Sequence, residues 1–90
     1  MTERQILDDL KRICQSYEAS ELVLFGSRAR KTNTARSDFD LAVSGVRDFP
    51  GLSEAIETIP TLLRFDLVNL DTCKNDLLLK EIRQYGRKIL

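Results

Sequence analysis

The chain has 90 residues, enough for one small domain and too few for two. Fourteen Lys and Arg balance fourteen Asp and Glu, for a formal net charge of zero, and there is no His. The balance argues against the strongly basic field of a general nucleic-acid binder, and the missing imidazole excludes Ser-His-Asp and Cys-His hydrolases built from this chain alone.

Hydrophobic residues make up 42% of the chain, which suffices for one packed core. The longest wholly apolar run is only Leu22–Phe25, so no segment is expected to span a membrane. The opening Met1-Thr2-Glu3-Arg4-Gln5 lacks an apolar stretch behind a basic start, so no signal peptide and a cytoplasmic location are expected. Cys14 and Cys73 lie far apart and form no CxxC pair, which leaves little for a disulfide framework or a zinc site. Any catalysis must rest on carboxylates, amines, hydroxyls and metal ions.

In chain order, Thr2-Glu3-Arg4-Gln5 has the form of a capping box. Ile6, Leu7, Leu10, Ile13, Cys14 and Tyr17 then recur at helical spacing. Glu21–Phe25 predicts a buried strand stopped by Gly26, and Ser27–Lys31 a short helix entered from that glycine. Thr32–Ser37 is a polar loop. Asp38–Ser44 alternates, with Phe39, Leu41 and Val43 on one side and Asp38, Asp40, Ala42 and Ser44 on the other, which predicts a second strand. Asp48-Phe49-Pro50-Gly51 is turn chemistry, and Leu52–Ile59 predicts a helix stopped before Pro60. Leu62–Leu70 reads as a third strand. Asp71 or Thr72 can cap a last helix whose face includes Leu78, Leu79, Ile82 and Tyr85, and Arg87–Leu90 is a tail or a short added strand. With no repeat and no linker, residues 1–90 are expected to form a single α/β (α+β) domain.

Three features carry chemistry. Gly26-Ser27 stands where a strand hands over to a helix; there a ligand can approach the backbone, and Ser27, Arg28 and Arg30 offer groups that suit phosphate oxygens. A plain strand-to-helix turn fits the same residues. Asp38 and Asp40 share one side of a predicted strand with Cα atoms roughly 6–7 Å apart, a spacing that favours a cation such as Mg²⁺ between them or a solvated strand face. Asp66 interrupts an apolar strand, which is costly unless the carboxylate pairs with Arg64 or binds metal. Were the third strand beside the second, Asp66 would complete a triad with Asp38 and Asp40, suited to two-metal displacement at phosphorus.

Taken together, Gly26-Ser27, Asp38-Phe39-Asp40 and Asp66 resemble the signature of the DNA polymerase β-like nucleotidyltransferase superfamily. The stretches Leu24–Arg30 and Ser37–Val43 are similar to its smallest branch, the minimal nucleotidyltransferases or MntA-like antitoxins, over essentially the whole chain. The resemblance implies a small mixed β-sheet flanked by helices. It makes Gly26 and Ser27 the phosphate loop, Arg28 and Arg30 further nucleotide-binding or partner contacts, and Asp38, Asp40 and Asp66 the catalytic ligands of Mg²⁺, with two ions expected. Lys31 is a departure, since many relatives have glycine after the second arginine.

The same resemblance implies transfer of AMP from ATP to a tyrosine hydroxyl of a HEPN-domain ribonuclease toxin, with this chain as its antitoxin. The acceptor is then supplied by another protein or by a second copy of the chain. Two other readings stay open at this point: a binding module that masks a partner's active site without turnover, and an adenylyltransferase acting on RNA or a small molecule. The basic cluster Arg28, Arg30, Lys31 and Arg36 suits RNA phosphates, although a solvated loop or a triphosphate site accounts for it as well. Cys14 falls on the apolar stripe of the first helix, and Tyr17 and Tyr85 read as packing residues.

Overall fold

In the computed structural model, which describes residues 1–90, helix α1 (Glu3–Ser16) starts at the capping box. The Thr2 hydroxyl accepts from the Gln5 amide at 3.2 Å, and the Gln5 side chain accepts from the Thr2 amide at 2.8 Å. Two amides that the helix cannot satisfy internally are thereby paired. The face that follows buries Ile6, Leu7, Leu10, Ile13 and Cys14, as the spacing requires. Side chains of this kind contribute roughly 1.5–3 kcal/mol each when fully buried, so α1 is anchored chiefly by this stripe.

Strand β1 (Glu21–Phe25) follows, then helix α2 (Gly26–Arg30), strand β2 (Phe39–Ser44), helix α3 (Phe49–Glu57), strand β3 (Phe65–Asn69), helix α4 (Asp76–Tyr85) and the two-residue strand β4 (Arg87–Lys88). The sheet order is β3-β2-β1-β4. β1 runs antiparallel to β2 and β4, whereas β2 and β3 are parallel. This is the small mixed sheet flanked by helices that the sequence led us to expect.

The alternation in β2 divides the core. Phe39, Leu41 and Val43 join Leu22 and Leu24 against α1 and α3, where Leu52, Ile56 and Ile59 are also buried. On the other face Val23, Phe25 and Ala42 meet Ile82 of α4, with Val68, Leu70 and Leu78 at the margin. Phe39 is fully buried and Asp40, its neighbour, faces the α4 side only half-buried.

Several boundaries differ from the sequence reading, and one open alternative is settled. The Asp48–Gly51 turn is the first turn of α3: the Asp48 carboxylate accepts from the Gly51 amide at 3.0 Å, and Pro50 lies where a missing N–H costs nothing. β3 begins at Phe65 rather than Leu62, because pairing with β2 starts only where Phe65 stands opposite Phe39. α4 is capped by Asn75, not by Asp71 or Thr72. Asp71 is already engaged, its carboxylate accepting from the Gly45 amide at 2.8 Å. The chain end forms the added strand, pairing Lys88 with Val23 and Arg87 with Leu24.

Candidate active site

The register of the sheet builds the site. Phe25 stands opposite Asp40 across β1 and β2, and Asp40 stands opposite Asp66 across β2 and β3. The third strand therefore does lie beside the second, and the Asp66 carboxylate stands near enough to Asp40 for its charge to act on it. No ion pair links Asp66 to Arg64; the four ion pairs of the chain involve other residues.

Gly26 closes the remaining side. Its φ of +71° lies in the left-handed region, and a Cβ there would overlap the Asp40 carboxylate. Glycine is thus required twice over, by backbone conformation and by the carboxylate against it. α2 opens directly from this residue with no side-chain cap on its first amides, and Ser27 beside it is half-exposed. Backbone amides and a hydroxyl are presented next to a carboxylate pair, an arrangement suited to a phosphate chain bridged to the acids by a cation.

Burial raises the Asp40 carboxyl above the ordinary range, and the neighbouring charges of Asp66, Asp38 and Glu81 push it the same way. Asp38 lies just before β2 and Asp66 on the edge strand, and both are exposed. No three carboxylates are drawn together into a ready-made cage. The pair is Asp40–Asp66, with Asp38 at the mouth. The donor set still fits Mg²⁺: all ligands are oxygens, they crowd like charge that a divalent cation relieves, and two of the three are open to solvent and to substrate oxygens.

The two arginines part company. Arg28 is 5% exposed; its Nε and Nη2 donate to the Ser37 carbonyl at 3.0 and 2.9 Å, Nη2 also reaches the Ala35 carbonyl, and Nη1 pairs with Glu3 at 3.0 Å. It lies over the ring of Phe39, on the α1 side of the sheet. In the structure its guanidinium braces the loop that delivers Asp38. Arg30 is on the α4 side, paired with Glu81 at 2.5 Å and stacked over Tyr85 at 4.3 Å. A signal for this split was available: residues two apart on a helix diverge by about 200°, so the pair cannot share one ligand. Glu81, which places a further negative charge near Asp40, carried no sequence signal.

The main concavities flank this site rather than coincide with it. One, of about 400 Å³, lies between α1 and the chain end, lined by residues such as Arg4, Lys11 and Lys88. The other, of about 430 Å³, has Asp38 on its wall. No helix is long and apolar enough to cross a membrane.

Comparison with known proteins gives a consistent result. Residues 8–90 match the family described as polymerase beta, nucleotidyltransferase. The chain is 32% identical over 88 residues to a Methanocaldococcus jannaschii protein that carries the name protein adenylyltransferase, covering 90% of this chain and 88% of that one. Among solved structures it resembles a toxin–antitoxin crystallised with AMP-PNP, at a TM-score of 0.70 and 20% identity, over 93% of this chain and 72% of the other. It also resembles a mutant of the toxin–antitoxin MntA-HpeT in which two aspartates two positions apart are glutamates, at a TM-score of 0.68 and 18% identity, with the same coverage. At these identities the solved structures establish the fold.

Proposed function

The chain belongs to the polymerase beta nucleotidyltransferase family, and from that membership we propose that it transfers AMP from ATP to a tyrosine hydroxyl of a HEPN-type ribonuclease toxin, as its antitoxin. The observation that carries the reading is the Asp40–Asp66 pair set against Gly26, with Asp38 beside it. The toxin–antitoxin neighbours supply the class of partner, and the AMP-PNP complex supplies the nucleotide. The aspartates replaced in one of them have the spacing of Asp38 and Asp40.

In this reading Gly26 and the opening amides of α2 receive the triphosphate, and Ser27 donates its hydroxyl to a phosphate oxygen. Asp38, Asp40 and Asp66 would hold Mg²⁺, two ions in the family, which neutralises the triphosphate and stabilises charge on the attacking and leaving oxygens. The acceptor oxygen attacks the α-phosphorus, the bond to the β-phosphate oxygen breaks, and pyrophosphate leaves. Asp66, exposed on the edge strand, takes the proton of the acceptor hydroxyl in this reading. Asp40 is buried deeper and holds its geometry against Gly26.

The test is incubation of the purified chain with α-labelled ATP, Mg²⁺ and the toxin encoded beside it. Label should appear on the toxin and vanish with Asp38→Asn/Asp40→Asn. A tight complex that silences the toxin without labelling it would make the chain a masking subunit. Label on RNA rather than protein would reassign the acceptor.

A further inference from the structure

Beside the carboxylates, the second concavity is lined by Arg36, Asp38, Leu62, Leu63 and Arg64. Leu62 is fully exposed there, the most exposed of the chain's large hydrophobic residues. Arg36 and Arg64 are also exposed, and neither is among the residues that form ion pairs. A bare leucine between two unpaired guanidiniums has no role in holding this fold together. Leu63, its neighbour, is the one that packs against the core.

The cleft is fixed to the reacting centre. The Arg64 carbonyl accepts from the Phe39 amide at 2.9 Å, which joins one wall of the cleft to the start of β2. Asp38 forms another wall, and Asp66 follows Arg64 by two residues on the uncovered edge strand. A polypeptide seated here would run past the carboxylates. We propose that this cleft is the docking surface for the acceptor protein, and that it takes an acidic segment with an apolar side chain lying beside the hydroxyl to be modified. The proposal rests on the protein-transfer reading above and adds the surface that selects the acceptor. Charge complementarity defines the occupant: two free guanidiniums call for carboxylates, and Leu62 calls for an apolar contact that a nucleic-acid backbone cannot give. Arginine with an apolar neighbour is a common anchor at protein interfaces.

The experiment measures binding of the full chain to the toxin, and separately to AMP-PNP with Mg²⁺, for the wild type, Leu62→Asp and Arg36→Glu/Arg64→Glu. All three side chains are exposed, so thermal unfolding should be unchanged, and that is checked first. Toxin affinity is expected to fall at least tenfold in each variant, and the Michaelis constant for toxin to rise correspondingly. AMP-PNP affinity and the Michaelis constant for ATP should stay within twofold. Equal toxin binding by all three proteins would overturn the proposal. So would weaker AMP-PNP binding with toxin binding kept, which would give the arginines to the triphosphate. Loss of binding to a single-stranded RNA probe alone would give the cleft to nucleic acid. Failure of the function reading looks different: the wild type would bind toxin through this cleft and leave no label on it.

Discussion

The guanidinium of Arg28 lies 4.1 Å from the centroid of the Phe39 ring, while Asp40, the residue after Phe39, faces the other side of the sheet. One side chain thus stacks under the strand that carries the site and, through the carbonyls of Ala35 and Ser37, holds the loop that leads into it.

Removing Arg28 should therefore unfold the protein more readily before it affects any ligand. Breaking a buried ion pair costs about 3–5 kcal/mol, but Glu3 is 41% exposed and can rehydrate, so Arg28→Met should cost roughly 2–3 kcal/mol. Glu3→Gln keeps an acceptor in place and should cost under about 1 kcal/mol. Urea denaturation measures both. A phosphate ligand would behave in the opposite way, with stability unchanged and ATP binding lost.

Gly26 and Gly45 make a matched pair for separating strain from function. Both have positive φ, +71° and +77°, and a Cβ on either would overlap a polar side chain. For Gly45 that side chain is Ser20, at the far end of β2 from the site; for Gly26 it is Asp40. Alanine at each should cost on the order of 1–3 kcal/mol, from left-handed strain and displacement of the neighbour. Only Gly26→Ala should also abolish AMP-PNP binding. Calorimetry on the two variants at a temperature where both are folded decides it.

Much of this was legible in the residues, and the exceptions have physical causes. The capping box, the α1 stripe and the alternation of β2 are local patterns, and local patterns survive folding. The pairing of Asp66 with Asp40 could be stated only conditionally, because nothing in Phe65–Asn69 says which strand it joins. Asp71 looked like a helix cap, but its carboxylate had a nearer claim on the Gly45 amide, 26 residues back in the chain. The bracing contacts of Arg28 were illegible for the same reason: its partners at Glu3, Ala35 and Ser37 come together only after folding.

Asp40→Asn should separate stability from chemistry in the reverse direction. The wild-type carboxyl is half-buried beside Asp66, with Asp38 and Glu81 adding like charge. A neutral amide of the same size relieves that repulsion, so the variant should be at least as stable as the wild type. AMP transfer should nonetheless fall below detection. Adding Mg²⁺ with AMP-PNP should raise the unfolding temperature of the wild type and leave that of Asp40→Asn unmoved.

The two cysteines should differ in reactivity. Cys14 is fully buried in the core, and burial pushes its thiol up to about 11, so at pH 8 it carries very little thiolate. Cys73 is half-exposed in the turn before α4. Titration with a chromogenic disulfide at pH 8 should consume one thiol per chain quickly and the second only after denaturant is added. Two fast thiols would mean that α1 opens far more often than its buried stripe allows.

Lys31, the departure from the pattern of the resembling sequences, ends α2 in the left-handed conformation, with φ of 60° and ψ of 33°. A lysine there is strained, whereas glycine adopts the conformation without a Cβ clash. The position is exposed, and its amide donates to the Ser27 carbonyl whichever residue is present. Lys31→Gly should consequently stabilise the protein by roughly 0.5–1 kcal/mol, the left-handed gain outweighing the added freedom of the unfolded chain. For a domain of this size that corresponds to a rise of about 2–8 °C in unfolding temperature. Lys31 closes the turn that Gly26 opens, so nucleotide and partner affinity are measured beside stability. If the lysine is kept for contact with a phosphate or an acidic partner, the glycine variant will gain stability and lose affinity for that ligand. If it is kept for nothing, affinity will stay and only stability will move.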